Sequence, residues 1–167
     1  MKQLQSIDEI SLYPEIKVWV LAENIRSAYN IGAILRTADG TNQTGLICAG
    51  YTPSVQHLKV QKTSLGAERT VPWLQLGDDY IETLLSNNRL LPIYSLEITK
   101  NAQDIFTWEW DKKPLILAIG NEVEGISPKL LEISIGKIYI PMLGSKQSLN
   151  VAEAASISLY EFFRKNH

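Results

Sequence analysis

The stretch from Lys137 to Phe163 constrains the fold more than any other part of the chain. Lys137 to Ile140 is a β-branched and aromatic run that stops at Pro141, as a short strand does. A polar loop follows, Gly144-Ser145-Lys146-Gln147-Ser148. From Leu149 the chain reads as a helix that Ser148 or Asn150 can cap. Glu153 sits in its first turn, where the helix dipole favours an acid. Val151, Ala154, Ala155, Ile157, Leu159, Phe162 and Phe163 do not share one narrow stripe, so this helix is buried on more than one side. A strand feeding a tight loop and then a helix N-terminus offers free backbone N–H groups. In α/β proteins such junctions lie at the carboxyl edge of the sheet, where ligands collect. An ordinary βα connection accounts for the same pattern. Against it stand two polar side chains at the mouth, Ser148 and Asn150, and Gly144, which lets the backbone approach a ligand closely.

The rest of the chain supplies the sheet for that junction. Strand-like runs occur at Lys17–Ala22, Leu46–Ala49, Val71–Leu76, Leu91–Leu96 and Leu115–Ile119, with Ile138–Ile140 the last. Helical patterns lie at about Ser27–Asp39, Tyr80–Asn88 and Leu149–Lys165. This alternation predicts an α/β fold with a mostly parallel sheet flanked by helices. Leu115–Ile119 is apolar at every position, as a central parallel strand should be. No repeat or linker divides the chain, and 167 residues suit one domain, 1–167. The single cysteine, Cys48, leaves no disulfide framework or cysteine-based zinc site, and no metal-ligand cluster is visible. Met1 to Tyr13 has no signal-peptide core, and no apolar run nears the ~18 residues of a membrane helix. The expectation is a cytoplasmic protein with no membrane contact. The formal charge is −2, so contact with nucleic acid has to come from a local basic patch.

Three segments carry candidate chemistry upstream of the junction. After the first strand comes Asn24-Ile-Arg-Ser-Ala-Tyr-Asn-Ile-Gly-Ala-Ile-Leu-Arg-Thr-Ala-Asp39. Ala28, Ile31, Leu35 and Ala38 form its buried face. Gly32 and Arg36, four apart, share another. Either Gly32 leaves room for a ligand over the guanidinium, or it serves close packing beside a surface arginine. The strand 115–119 runs into Gly120, then Glu122, Glu124 and Gly125, then Ser127-Pro128, which begins a helix well. Tyr51 to Arg69 carries Lys59, Lys62 and Arg69 against one acid, Glu68. It is a solvated loop, or it is the local basic patch, with Tyr51 and His57 interleaved to stack on a base. The four tryptophans fit core or interface better than stacking platforms.

Taken together, three of these segments resemble the motifs of the SpoU/TrmH-type RNA 2′-O-ribose methyltransferases of the SPOUT superfamily. The first is Asn30-x-Gly32-x-x-x-Arg36-Thr-Ala, and the second is Gly120-x-Glu122-x-x-Gly125. The third is Ile140-Pro-Met-x-Gly144-x-x-x-Ser148-Leu-Asn-Val-x-x-Ala154. They occur in the family's order, each at a strand end, and cover nearly the whole chain. The resemblance implies a C-terminal trefoil knot (the α/β knot), although knots are very rare in proteins at large. It implies S-adenosylmethionine as cofactor, held by backbone around Leu96, Gly120, Ile140 and Leu149. It makes Arg36 the main catalytic residue, with Asn30, Glu122, Ser148 and Asn150 in support, and gives Glu124 no role. The implied reaction is methyl transfer to a ribose 2′-hydroxyl of tRNA or rRNA, undecided between the two, with no metal.

The apolar residues of the C-terminal helix exceed one core face, which predicts a homodimer with that helix beside the first-motif helix at its interface; the resemblance lets Arg36 serve its own site or the partner's. With no separate RNA-binding domain visible, Arg36, Lys59, Lys62 and Arg69 are the candidate RNA contacts. Arginine stays protonated in proteins. Its role is therefore electrostatic, gripping the phosphate beside the ribose and stabilising the developing alkoxide. Two alternatives share the fold: a SPOUT enzyme that methylates an RNA base, and an RNA-binding knot protein without catalysis.

Overall fold

The structure, a computed structural model, describes residues 2–167. A 3₁₀ turn at Ile7–Leu12 precedes β1 (Val18–Glu23), α1 (Ala28–Thr41) and β2 (Thr44–Ala49). Then come α2 (Leu58–Ser64), β3 (Trp73–Gln75), α3 (Tyr80–Ser86), β4 (Ile93–Leu96) and β5 (Gln103–Asp104). The chain finishes with β6 (Leu115–Ile119), α4 (Pro128–Ile133), β7 (Gly136–Tyr139) and α5 (Val151–Asn166). The seven strands form one sheet in the order β3-β2-β1-β6-β4-β7-β5, and every pairing of neighbours is parallel.

All six residues of β1 and of β2, and all five of β6, are buried. That is the burial of strands covered on both faces, and it explains their unbroken apolar runs. Alternate residues feed two cores. Val18, Val20, Leu115 and Leu117 pack with Ile31 and Leu35 of α1 and with Leu159 and Phe162 of α5. Trp19, Leu21, Ile116 and Ala118 pack with Ile7, Ile10, Leu84 and Leu130 on the other side. Trp19 and Trp73 are fully buried. Cys48 is buried as well, and burial pushes its thiol up to about 12. Among the described residues, no helix is long and apolar enough to cross a membrane.

The segment from Tyr51 to Arg69, which the sequence leaves open between a solvated loop and a basic patch, is mostly ordered structure. It holds α2 and a 3₁₀ turn at Ala67–Arg69. Only Val60 and Ser64 of α2 are buried, too few to show a helical period in the sequence. The Nδ1 of His57 accepts from the Lys59 N–H at 3.2 Å, so this histidine caps α2. The choice at Gly32 resolves in favour of packing. A Cβ there would stand 2.5 Å from Thr63 Cβ and 2.8 Å from the Val60 carbonyl, so the glycine lets α2 seat on α1. Gly144 has nothing near it and makes no close backbone approach within the chain.

Candidate active site

All parallel strands end at one edge. Glu23 pairs with Ala49, Ala22 with Ile119, Ser95 with Ala118, and Leu96 with Ile138, so the ends of β2, β1, β6, β4 and β7 lie side by side. A cleft of about 640 Å³ opens there, within the range that holds a cofactor-sized ligand. Its walls are Leu96–Ile98 after β4, Gly120–Ile126 after β6, Ile140 and Met142 after β7, and Ser148–Val151 at the start of α5. Leu96, Gly120, Ile140 and Leu149, the four expected cofactor contacts, all line it. So do Glu122, Ser148 and Asn150.

The loop after β6 is folded back on itself. Asn121 and Gly125 exchange backbone hydrogen bonds of 3.0 and 2.9 Å. A Cβ on Gly120 would stand 2.2 Å from the carbonyl carbon of Gly125 and 2.3 Å from the nitrogen of Ile126. Gly125 has φ +72°, the left-handed region that favours glycine. Both glycines of the motif are thus needed to shape the cleft wall, whatever fills it.

One hydrogen-bond chain joins the three motif segments. Glu122 accepts from the Arg26 N–H at 3.0 Å, the Ser27 N–H at 3.1 Å and the Asn30 side-chain amide at 2.9 Å. Asn30 Oδ1 accepts in turn from the Asn150 amide at 3.3 Å. Asn150 caps α5, accepting from the Ala152 N–H at 2.8 Å and the Glu153 N–H at 3.4 Å. Burial raises the Glu122 carboxyl, but the N–H groups of Arg26, Glu122 and Ser27 and the Asn30 amide together hold it below the usual carboxylate value. Glu122 is therefore an anion at neutral pH.

Charge divides the surroundings in two. Among the described residues, the cleft lining carries three carboxylates, Glu97, Glu122 and Glu124, and no lysine, arginine or histidine. Such a lining suits a ligand with cationic and apolar parts and repels a phosphate backbone. The exposed cations Arg36, Lys59 and Lys62 stand on α1 and α2 instead, which are packed together through Gly32. Arg69 is exposed too, 3.8 Å from Glu68. Arg36 does not line the cleft of its own chain. Among the described residues, no group of His, Cys, Asp and Glu side chains is placed to hold a metal ion.

Sequence reasoning missed Asn121, Glu97 and the backbone of Arg26. Asn121 Oδ1 accepts from the N–H groups of Val123 and Glu124, at 2.8 and 3.0 Å, and fixes the cleft loop. Glu97 accepts from the Ile126 N–H at 3.3 Å, across the cleft floor. Only its place between Gly120 and Glu122 signalled the first in the sequence, and nothing signalled the second.

The chain is similar to known proteins in sequence and in fold. The profile of the SpoU rRNA Methylase family matches residues 17–160. A tRNA (guanosine(18)-2′-O)-methyltransferase of Aquifex aeolicus (strain VF5) is 30% identical over 165 residues, covering 98% of this chain and 77% of that protein. A 23S rRNA (uridine(2479)-2′-O)-methyltransferase of Streptomyces viridochromogenes is 32% identical, covering 87% of this chain and 52% of that protein. The crystal structure of the SpoU methyltransferase AviRb from Streptomyces viridochromogenes, in complex with AdoMet, superimposes with a TM-score of 0.79 at 28% identity. That match covers 96% of this chain and 64% of AviRb. The profile takes in all three motifs and the whole sheet from β1 to β7, and on that ground the chain belongs to the SpoU rRNA methylase family.

Proposed function

We propose that this chain transfers a methyl group from S-adenosylmethionine to a ribose 2′-hydroxyl of RNA. The observation that carries the reading is the hydrogen-bond chain Glu122–Asn30–Asn150 at the rim of an anionic, cofactor-sized cleft. The cleft fits the cofactor's chemistry. Leu96, Ile140 and Leu149 offer apolar wall and backbone groups to an adenosine, and the carboxylates favour a cationic methyl donor. Bound there, S-adenosylmethionine supplies an electrophilic methyl group on sulfur.

The chain's own residues do the rest. Gly120 and Gly125 let the loop after β6 fold closely on itself and against Glu97, which shapes one wall of the cleft. Glu122 and Asn30 hold the start of α1 against the cleft, and Asn150 holds the start of α5. The exposed cations of α1 and α2 draw RNA to the face beside the cleft, since the cleft itself repels it. Arg36 acts by charge: its planar fork grips a phosphate and steadies negative charge growing on the 2′-oxygen, and the proton leaves to that phosphate or to water.

The reading includes a homodimer. Tyr29, Ile157 and Tyr160 leave 58%, 37% and 52% of their surface exposed on α1 and α5, the same helix pair that carries Arg36. An apolar patch of this kind is what a second copy covers. Because Arg36 stands outside its own cleft, the partner's cleft is its proposed site of action. Threading of the C-terminal segment into a knot belongs to the same reading. It is supported by residues 140–150 sharing a cleft with the 120–126 loop.

The test is transfer of label from tritiated S-adenosylmethionine into separate tRNA and rRNA pools, with nuclease mapping of the product. A 2′-O-methyl nucleotide is expected in one pool. Arg36→Ala should remove transfer, as loss of one transition-state charge partner costs ~3–4 kcal/mol, while cofactor binding stays. Label on a base, or in neither pool, would refute the reading.

A further inference from the structure

Tyr51 is an exposed aromatic fixed at both ends to the walls of the site. It follows β2 directly, at the sheet edge that carries the cleft. Tyr51 is 58% exposed. Its hydroxyl oxygen nevertheless accepts from the side-chain amide of Asn121 at 2.8 Å. Its N–H donates to Asn24 Oδ1 at 3.2 Å. Asn24 lies at the end of β1 with φ +52°, and its carbonyl also accepts from Asn121, at 2.9 Å. Gly50, with φ +63°, makes the turn that delivers the ring, and a Cβ there would stand 2.0 Å from Asn24 Oδ1. Three strand ends, β2, β1 and β6, therefore cooperate to hold one ring in water.

A surface tyrosine needs no such support for solubility. Two left-handed residues, Asn24 and Gly50, and a buried asparagine are committed to its orientation. Backbone held in that region persists where the surroundings over-determine it, often at ligand sites. The ring is tied to the cleft loop through Asn121, and α2, which bears Lys59 and Lys62, begins seven residues later in the chain. Amphipathic aromatics beside a cationic track are the platforms on which unstacked RNA bases rest.

We propose that Tyr51 is a positioning residue for RNA: its ring stacks on an unpaired base next to the methylated nucleotide, and its hydroxyl ties that contact to the cofactor loop through Asn121. This rests on the RNA methyltransferase reading above. It adds a substrate class, RNA whose target lies in a loop or another single-stranded stretch, because a base inside a duplex offers no free face.

The test uses the full chain with S-adenosylhomocysteine, and total tRNA and total rRNA as probes. Tyr51→Leu removes the face and the hydroxyl. RNA affinity should fall about five- to 150-fold, the ~1–3 kcal/mol of one stacked base. The KM for RNA should rise with kcat little changed. Tyr51→Phe and Tyr51→Trp keep a face and should keep RNA affinity within about twofold of the parent, whereas a purely structural tyrosine would not be rescued by Trp. All three variants should weaken S-adenosylhomocysteine binding, read by calorimetry, because each takes away the hydroxyl acceptor of Asn121. A Tyr51→Leu protein that folds and binds both RNA pools as the parent does overturns the proposal, and so does a Tyr51→Trp protein as weak as Tyr51→Leu. If the unaltered protein methylates neither pool, the reading beneath it fails as well, and the two failures are told apart by that control.

Discussion

Glu122 shows how much one exposed side chain can organise. Two backbone N–H groups and one amide converge on its carboxylate, tying the start of α1 to the loop after β6. These donors hold its pKa below the ordinary value despite the opposing effect of burial. A carboxyl depressed in the folded state adds stability above its unfolded value, and that stability disappears as pH falls through the folded value. The expected outcome concerns thermal midpoints of the parent and Glu122→Gln. The parent's advantage should be full at pH 7 and shrink as pH falls below about 4.3, the ordinary value of a glutamate in the unfolded chain. An advantage that is missing at pH 7, or unchanged at pH 3, would show that the carboxylate charge does not hold the network. Glu122, Asn30 and Asn150 were legible in the sequence because each sits in a motif beside a glycine or a helix start. Asn121 was not, since its partners Asn24 and Tyr51 lie 97 and 70 residues away and nothing local marks it; Tyr51 was legible as an aromatic beside lysines, but its tie to Asn121 was not.

At the scale of elements, α1 is the hub: it packs on α2 through Gly32 and on α5 through a 2.7 Å contact between the Thr37 and Ser156 hydroxyls. Gly32→Ala should drive a methyl group into Thr63 and into the backbone at Val60 and Ser64. The expected cost is ~1–3 kcal/mol, as for overpacking elsewhere, read as a lower urea midpoint with an unchanged slope. Stability equal to the parent would mean that α2 is loosely seated. The long elements announced themselves by composition. Strands β1, β2 and β6 are apolar on both faces, and α1 and α5 run 14 and 16 residues, long enough for a period to show. The short ones did not. Strand β5 has two residues and exists only because β7 offers an edge, and α2 has seven residues of which two face inward. Such elements are set by tertiary contact rather than by local pattern.

At the scale of the whole molecule, the separation of Arg36 from its own cleft makes a sharp expectation about assembly. Light scattering should give the mass of a dimer. Arg36→Ala chains and Gly120→Ala chains should each be inactive, the second because a Cβ has no room against Gly125 and Ile126. If Arg36 acts across a two-fold interface, mixed dimers regain one working site, with the cofactor on one chain and the arginine from the other. Random pairing then restores roughly a quarter of full activity. No recovery despite proven mixing would place Arg36 in its own chain's site.

The strand order also dictates when the fold can form during synthesis. Strand β1 needs β6 as its second neighbour, yet four other strands are made between them. Until Leu115–Ile119 has left the ribosome, β1 is paired only with β2 and keeps an open apolar edge, the kind of surface that invites wrong partners. No small molecule can rescue the chain at that stage. The cleft takes its walls from segments after β4, β6 and β7, so it does not exist until the last helix has been made. Ligands stabilise only states that can bind them. This chain must therefore cross its most aggregation-prone interval unaided by its own substrates, relying on slow, long-range pairing and on whatever holds nascent chains apart.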